Sequence, residues 1–156
     1  MAETHYIPQG FHSLTPYLIA KDAAGAIDFY KKAFGAVELS RMADPSGTVR
    51  HAEIKIGDSL IMITDENPDY PEWKGPLSRG GTPVHLYLYV EDVDAVFAQA
   101  IETGAKELMP LKDQFYGDRS GAITDPYGHI WYIATHVEDV SHEEIERRMA
   151  EQGKAG

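Results

Sequence analysis

An internal repeat is the feature that most limits the folds available to this chain. Thr15–Asp22 (TPYLIAKD) and Val84–Asp92 (VHLYLYVED) are similar extended segments. Each is followed by a helix-like run, Ala23–Phe34 or Val93–Thr103, and each run ends on a glycine. A repeat of this length is too long for a solenoid unit and indicates two fused half-domains.

Each half predicts a strand, a helix and three further strands, from the spacing of apolar residues and the turn residues between them. The first module covers about 14–65 and the second about 83–136, within a single domain at 12–136. The predicted fold is therefore α+β, with two βαβββ modules forming a cup-shaped mixed sheet. Residues 66–82, rich in proline and glycine, are expected to form a loop between the modules. A capping-box signature at Ser141 predicts a charged helix in the tail, 137–156, which we expect to be an appendage and not part of the site.

The predicted bounds of the elements follow the same patterns. In the first module they are strand Leu14–Ala20, helix Ala23–Phe34, and strands Val37–Met42, Val49–Ile56 and Leu60–Thr64. In the second they are strand Val84–Val90, helix Val93–Thr103, and strands Lys106–Leu111, Gly121–Thr124 and Ile130–Thr135.

Composition excludes several classes of function. The formal charge of −11 disfavours nucleic acid and anionic membrane surfaces, because both are bound through clustered lysine and arginine. The chain has no cysteine, so it has no disulfide, thiolate nucleophile or thiolate metal site. No stretch of the sequence is apolar enough to span a bilayer, and the first residues do not form a secretory signal. We expect a soluble, cytoplasmic protein.

Several short motifs carry a resemblance to a known superfamily. They are Ala26-Ile-Asp-Phe-Tyr30 with Phe34-Gly35, Val90-Glu-Asp-Val-Asp94, and Thr124-Asp-Pro-Tyr-Gly-His129. Over about residues 12–136 the chain resembles the vicinal oxygen chelate superfamily of glyoxalases, bleomycin-resistance proteins and extradiol dioxygenases. His51-Ala-Glu53 and Gln114-Phe-Tyr-Gly-Asp-Arg119 are similar to its PhnB-like branch.

The resemblance implies where a metal would lie in a catalytic member of the superfamily. Such members place one ligand on the first strand and one on the last strand of each module, and the four converge inside the cup. The corresponding residues here are Thr15, Met62, His85 and Tyr132. Hard divalent ions prefer carboxylate and imidazole ligands, and this set offers a single imidazole. We therefore expect no cofactor, with a divalent metal at non-standard positions as the alternative.

Strand alternation predicts what occupies the cup instead. If His85 faces inward, so do Tyr87 and Tyr89. The same reasoning places Tyr17, Met62 and Tyr132 on the inner surface. Tyrosines with a methionine and a histidine suit a planar or aromatic small molecule. The alternative is that these aromatics fill the cup as core.

Two further groups are candidates for contact with a ligand or for catalysis. His51 and Glu53 share a strand face and could pair near the cup, or could lie on a solvated face. Gln114, Tyr116 and Arg119 lie on a polar and aromatic loop that could close over a ligand, with Arg119 as an anion donor. In the alternative, Asp118 and Arg119 are solvated on a hairpin.

The hypothesis that these patterns favour is binding of a planar or aromatic small molecule, of the sequestration type seen in bleomycin-resistance relatives. The alternative is an isomerase or lyase of the same superfamily, with His85 or the His51/Glu53 pair as general base. A third possibility is a structural role with the cup packed shut. Exposed sheet edges and the resemblance both predict a homodimer.

Overall fold

The computed structural model describes residues 3–155, with Ala155 described by its backbone alone. Its elements alternate in the order expected from two βαβββ modules. They are β1 (Tyr17–Ala20), α1 (Ala23–Phe34), β2 (Val37–Ala43), β3 (Val49–Ile56), β4 (Ser59–Asp65), α2 (Pro76–Arg79), β5 (His85–Tyr89), α3 (Val93–Thr103), β6 (Lys106–Asp113), β7 (Asp118–Thr124), β8 (Ile130–His136) and α4 (His142–Ala155).

The strands form two four-stranded mixed sheets with the same topology, β1-β4-β3-β2 and β5-β8-β7-β6. In each sheet the first strand of the module runs parallel to the last strand, and the other pairs are antiparallel. A parallel pair needs a crossover connection. The helix that follows the first strand begins that connection in each module. The predicted α+β class, with two repeated modules and a C-terminal helix, is confirmed.

The first unit contains the residues up to Pro83 together with Pro126–His129. Its core lies between α1 and one face of the first sheet, and includes Ile27 and Tyr30 from the helix and Ile54 and Ile63 from the sheet, all fully buried. Apolar residues in this unit recur at helical spacing on α1 and at every second position on β3. This leaves the opposite face of the sheet, with Tyr17 and Met62, free of helices of its own module.

The second unit contains Val84–Asp125 and the residues from Ile130 onward. Its core lies on the face of the second sheet that carries Ile123, Trp131 and Ile133, with Val93 and Phe97 supplied by α3. Gly121 in β7 makes this packing possible, because a Cβ at that position would lie 2.8 Å from Cε2 of Phe97. The opposite face carries the polar and aromatic residues described below.

The two long helices of the modules begin and end by the same physical devices. Asp22 and Asp92 are N-cap residues whose carboxylates accept hydrogen bonds from the amides of Gly25 and Ala95, at 3.0 and 3.2 Å. Gly35 ends the first helix in the left-handed region, at φ 70°, where a residue with a Cβ is strained. These local signals explain why the bounds expected from the sequence match both helices.

The strand bounds differ from the expected ones in particular places. β1 begins at Tyr17, three residues later than expected, whereas β7 begins at Asp118, three residues earlier. The expected loop 66–82 contains the short helix α2, which has Pro76 at its first position and Gly80 as its C-cap at φ 82°. None of the helices in the described residues is long and apolar enough to cross a membrane.

Candidate functional site

The parallel pair β5 and β8 places a row of aromatic side chains on the open face of the second sheet. Tyr87 lies opposite Tyr132 in the register, and Leu86 lies opposite Trp131 on the other face. Because side chains alternate between the two faces of a strand, His85, Tyr87 and Tyr89 share one face with Tyr132. We call these four residues the aromatic face.

The rings of the aromatic face are in contact with one another. The centroids of Tyr87 and Tyr132 lie 5.6 Å apart with an interplanar angle of 4°, and those of His85 and Tyr132 also lie 5.6 Å apart, at 29°. Tyr89 extends the row at 5.2 Å from Tyr87. Tyr87 is 43% exposed and Tyr89 is 59% exposed. The rings therefore present apolar surface and hydroxyl groups together, instead of being enclosed as core.

A buried carboxylate lies beside this row. Asp118, at the start of β7, is only 4% exposed. Its Oδ2 accepts hydrogen bonds from the hydroxyls of Tyr87 and Tyr89 at 2.8 and 2.9 Å. Its Oδ1 lies 2.8 Å from Nδ1 of His136, the residue opposite it in the register of β7 and β8. We call Asp118, Tyr87, Tyr89 and His136 the Asp118 cluster.

The cluster shifts the titration of its members in ways that follow from its hydrogen bonds. Burial raises the pKa of the Asp118 carboxyl, but the hydrogen bonds from His136, Tyr87 and Tyr89 outweigh it and hold the pKa below its usual range. Burial, followed by the hydrogen bond to Asp118, raises the pKa of both Tyr87 and Tyr89. The phenols thus stay neutral at physiological pH while Asp118 is ionised.

His136 connects the cluster to the segment that follows β8. Its Nε2 lies 2.7 Å from Oδ1 of Asp139, so that each ring nitrogen faces a carboxylate. The hydrogen bond to Asp118, and then the one to Asp139, raises the pKa of His136. Two flanking carboxylates favour the doubly protonated form of the imidazole.

The C-terminal helix α4 is attached to the loop next to Asp118. Arg148 on α4 donates from Nη1 to the carbonyl of Phe115 at 3.0 Å, and from Nη2 to Glu138 at 2.9 Å. The carbonyl of Gly117 accepts hydrogen bonds from the amides of Val137 and Glu138. A Cβ at Gly117 would meet the carbonyl of Glu138 at 2.1 Å, so only glycine permits this approach. The tail expected to be an appendage thus positions the turn that precedes Asp118.

The three residues predicted on the polar and aromatic loop lie in different environments. Gln114 begins the turn, and its backbone N–H donates to the carbonyl of Asp118 at 2.7 Å. Tyr116 lies close enough to contribute to the raised pKa of Tyr87, after burial and Asp118. Arg119 lies on the helix-packed face of the sheet, where it forms ion pairs with Asp94 at 2.8 Å and Asp113 at 3.4 Å. The structure does not bring Arg119 to the aromatic face.

The open face of the first sheet carries the other predicted residues. The register places Glu53 opposite Met62 and Tyr17 opposite Met62, so these three share a face. Nε2 of His51 lies 3.4 Å from Oε1 of Glu53, and Nδ1 of His51 lies 3.5 Å from the hydroxyl of Tyr17. The two sequence interpretations of His51 and Glu53 are thus resolved in favour of the face that bears Tyr17.

Thr15 and Met62 line a groove of about 330 Å³ in the first unit. The segment before β1 supplies the rest of its lining, which is Tyr6, Ile7, Pro8, Phe11, His12 and Ser13. Its walls are thus mainly apolar and aromatic. This is a surface for apolar contact and not a set of metal ligands.

The residues at the four positions that bind metal in catalytic relatives do not suit a divalent cation. They offer an alcohol, a thioether, an imidazole and a phenol, and the imidazole of His85 is stacked on Tyr132. Among the residues that the structure describes, no three histidine, aspartate or glutamate side chains are grouped as metal ligands.

Sequence reasoning placed Tyr89 on the inner face with Tyr87 but did not identify Asp118 and His136 as site residues. In the sequence Asp118 is considered only as part of a solvated hairpin, in the alternative interpretation, because β7 is expected to begin at Gly121. His136 lies just beyond the expected end of β8 at Thr135. Extending both strands would have put Asp118 and His136 on the face of Tyr132 by alternation. The signal was present, but the Gly117-Asp118 pair reads as a turn.

Comparison with known proteins identifies the family. The Glyoxalase/Bleomycin resistance protein/Dioxygenase superfamily model matches residues 10–133. The chain belongs to this superfamily. The match ends before His136, Asp139 and Arg148, so the contacts of these residues lie beyond the part of the chain that the model matches.

Similar proteins come from several organisms. The protein Mb0911c of Mycobacterium bovis is 45% identical over 143 residues, which cover 90% of this chain and 94% of the relative. The crystal structure of TioX from Micromonospora sp. ML1 is similar at 28% identity and a TM-score of 0.64, covering 81% of this chain and 99% of that one. The PhnB protein of Bacillus cereus, at 23% identity and a TM-score of 0.63 over 80% of this chain and 99% of that one, shares the fold.

The raised pKa of His136 predicts a pH-dependent contribution to stability. A histidine whose pKa is higher in the folded state stabilises fully below its unfolded pKa, about 6.5, and the contribution is lost as pH rises through the folded value. The free energy of unfolding lost in His136→Gln should therefore be larger at about pH 6 than at about pH 9.5. Urea denaturation at both pH values measures it. His5→Gln, at an exposed position, is the control, and an equal loss for His136→Gln at both pH values would contradict the prediction.

Proposed function

We propose that this protein binds a planar or aromatic small molecule on the aromatic face of its second module, without a metal. The observation that carries the proposal is the row of contacting rings formed by His85, Tyr132, Tyr87 and Tyr89, with two of the tyrosines 43% and 59% exposed. Superfamily membership supports it at a coarser level, since related proteins act on or bind small molecules.

The chemistry of the face supports this type of ligand. Aromatic rings stack with centroids about 4.5–7 Å apart, and the rings here are already ordered at such distances. The hydrogen bonds to Asp118 fix the orientations of Tyr87 and Tyr89, which reduces the side-chain entropy lost on binding. A pre-ordered aromatic surface with polar atoms at one end is the usual composition of a small-molecule site.

Truncating the central ring tests the proposal. A planar aromatic ligand, found by the rise in unfolding temperature that a folded-state ligand produces, should bind Tyr132→Ala about tenfold more weakly. The reason is the loss of a stacking partner, which contributes on the order of 1 kcal/mol beyond buried area. Isothermal titration calorimetry measures the dissociation constants.

The same experiment separates a binding site from a core. Glu146→Ala, on the exposed surface of α4, should leave the affinity unchanged. If Tyr132→Ala and His85→Ala lower stability but never affinity, the aromatics serve as core and the proposed function is wrong.

A second candidate, an isomerase or lyase activity, is favoured by one observation in the first unit. His51 and Glu53 are both partly exposed, with side chains 22% and 27% exposed, and lie 3.4 Å apart beside the hydroxyl of Tyr17. A carboxylate beside an imidazole can hold the ring in the orientation that a general base needs. This pair could abstract a proton from a substrate on that face.

Metal content distinguishes the two candidates. Because the four positions offer a single good ligand, protein purified without chelator should contain far less than one Ni, Zn, Fe or Mn per chain. Elemental analysis by mass spectrometry measures the ratio. A value close to one would make the enzyme the leading proposal, with His51 or Glu53 as substitute ligands.

We also propose that the protein forms a homodimer. The edge strand β2 carries the exposed apolar side chains of Val37, Leu39 and Met42, and the edge strand β6 carries those of Leu108 and Met109. Unpaired apolar edges promote association, and a second copy would cover them. Light scattering at micromolar concentration should give twice the mass of 17.3 kDa, and the monomer mass in moderate salt would contradict this.

A further inference from the structure

The hydrogen bonds of the Asp118 cluster restrict what a ligand can offer to the aromatic face. A phenol has one proton, and those of Tyr87 and Tyr89 are both donated to Oδ2 of Asp118. Each hydroxyl oxygen is left with lone pairs only. A ligand that hydrogen-bonds to these two tyrosines must therefore supply the proton.

His136 does not provide a free donor either. Its Nδ1 and Nε2 face the carboxylates of Asp118 and Asp139 at 2.8 and 2.7 Å. The protons on both ring nitrogens are thereby engaged within the protein. The carboxylate of Asp139, which is fully exposed, retains lone pairs that can accept further hydrogen bonds.

The charged groups near the aromatic face also favour a ligand that is positive or donates hydrogen bonds. Two carboxylates, those of Asp118 and Asp139, flank the single imidazole of His136, so acidic groups outnumber basic ones here. Tyrosine rings also attract cations through their negatively polarised faces. The chain as a whole carries a formal charge of −11, which opposes the approach of an anion.

From these contacts we infer that the aromatic face selects planar aromatic molecules that present N–H donors or a positive charge, such as aromatic amines and protonated heteroaromatics, over aromatic carboxylates and phosphates. The inference rests on the proposed function, because it specifies the class of ligand for the same site. Asp118 is a specificity-determining residue in this proposal. It acts through the tyrosine hydroxyls and does not itself contact the ligand.

A matched pair of probes tests the selection. 2-Naphthylmethylammonium and 2-naphthoate share one ring system and differ in the sign of the charge and in hydrogen-bonding role. Calorimetry at about 0.15 M salt, where the Debye length is about 8 Å, reduces the contribution of distant charges. We expect the ammonium probe to bind at least tenfold more tightly than the carboxylate probe.

The substitution Asp118→Asn reverses the hydrogen bonding while keeping the side-chain shape. An asparagine amide group donates, so at least one tyrosine hydroxyl would turn its proton toward the ligand. The preference for the ammonium probe should fall at least fivefold. Asp69→Asn, which makes the same charge change at an exposed position in the first unit, should leave the preference unaltered.

A second variant covers the case in which Asp118→Asn fails to fold. Tyr89→Phe removes one acceptor oxygen from an exposed side chain and leaves the ring in place. It should weaken the ammonium probe about threefold or more and leave 2-naphthoate unchanged. Equal effects of Tyr89→Phe on both probes would overturn the inference.

The outcomes separate this inference from the proposed function. If both probes bind, both are weakened by Tyr132→Ala, and 2-naphthoate binds as tightly as the ammonium probe or more tightly, the ligand class is wrong and the site stands. If neither probe binds at millimolar concentration, or if Tyr132→Ala changes neither affinity, the proposed function is wrong and the inference fails with it.

Discussion

The second module depends on one buried carboxylate and on the hydrogen-bond donors that offset the free energy of burying it. Placing an ionised aspartate where only 4% of its surface is exposed is unfavourable unless its oxygens are hydrogen-bonded. Asp118 meets this requirement with an imidazole from the adjacent strand β8 and two phenols from β5, the strand beyond it. The same bonds that make the buried charge tolerable fix the orientations of Tyr87 and Tyr89, so the stability of the sheet face and the geometry of the candidate site have a common origin.

The C-terminal tail extends this network beyond the superfamily domain. Arg148 is bonded to Glu138, to Glu144 and to the carbonyl of Phe115, so α4 holds the β6–β7 turn from outside. Glu138 also lies next to Asp139, the second partner of His136. The sequence of α4 is typical of a solvated helix, but one of its polar side chains, Arg148, connects the tail to the loop before Asp118.

The sequence predicts local structure well and long-range pairing poorly, for physical reasons. The bounds of α1 and α3 were predictable because an aspartate N-cap and a terminal glycine mark both ends within the segment itself. The aromatic face was predictable because alternation along β5 is also local. The partners of Asp118 were not, because they lie 18 to 31 residues away in sequence and depend on the register of β7 with β8. Arg119 shows the opposite case: its chemistry suits an anion, but a one-residue step from Asp118 places it on the other face, against Asp94.

The repeat finally shows that the two modules have diverged in chemistry within one backbone frame. Tyr17 and Met62 in the first sheet occupy the register positions of Tyr87 and Tyr132 in the second. Counting along the antiparallel ladders from these pairs, Glu53 corresponds to Ala122, His51 to Ser120, and Val49 to Asp118. Where the second module buries a carboxylate, the first buries Val49 and carries its polar pair further along the strand. The backbone frame tolerates a buried carboxylate or a polar pair on the open face of the sheet. The reason is that the opposite, helix-packed face supplies the core. Each module could therefore change its open face without losing its fold, which is the condition under which a duplicated domain acquires a specific ligand on one half only.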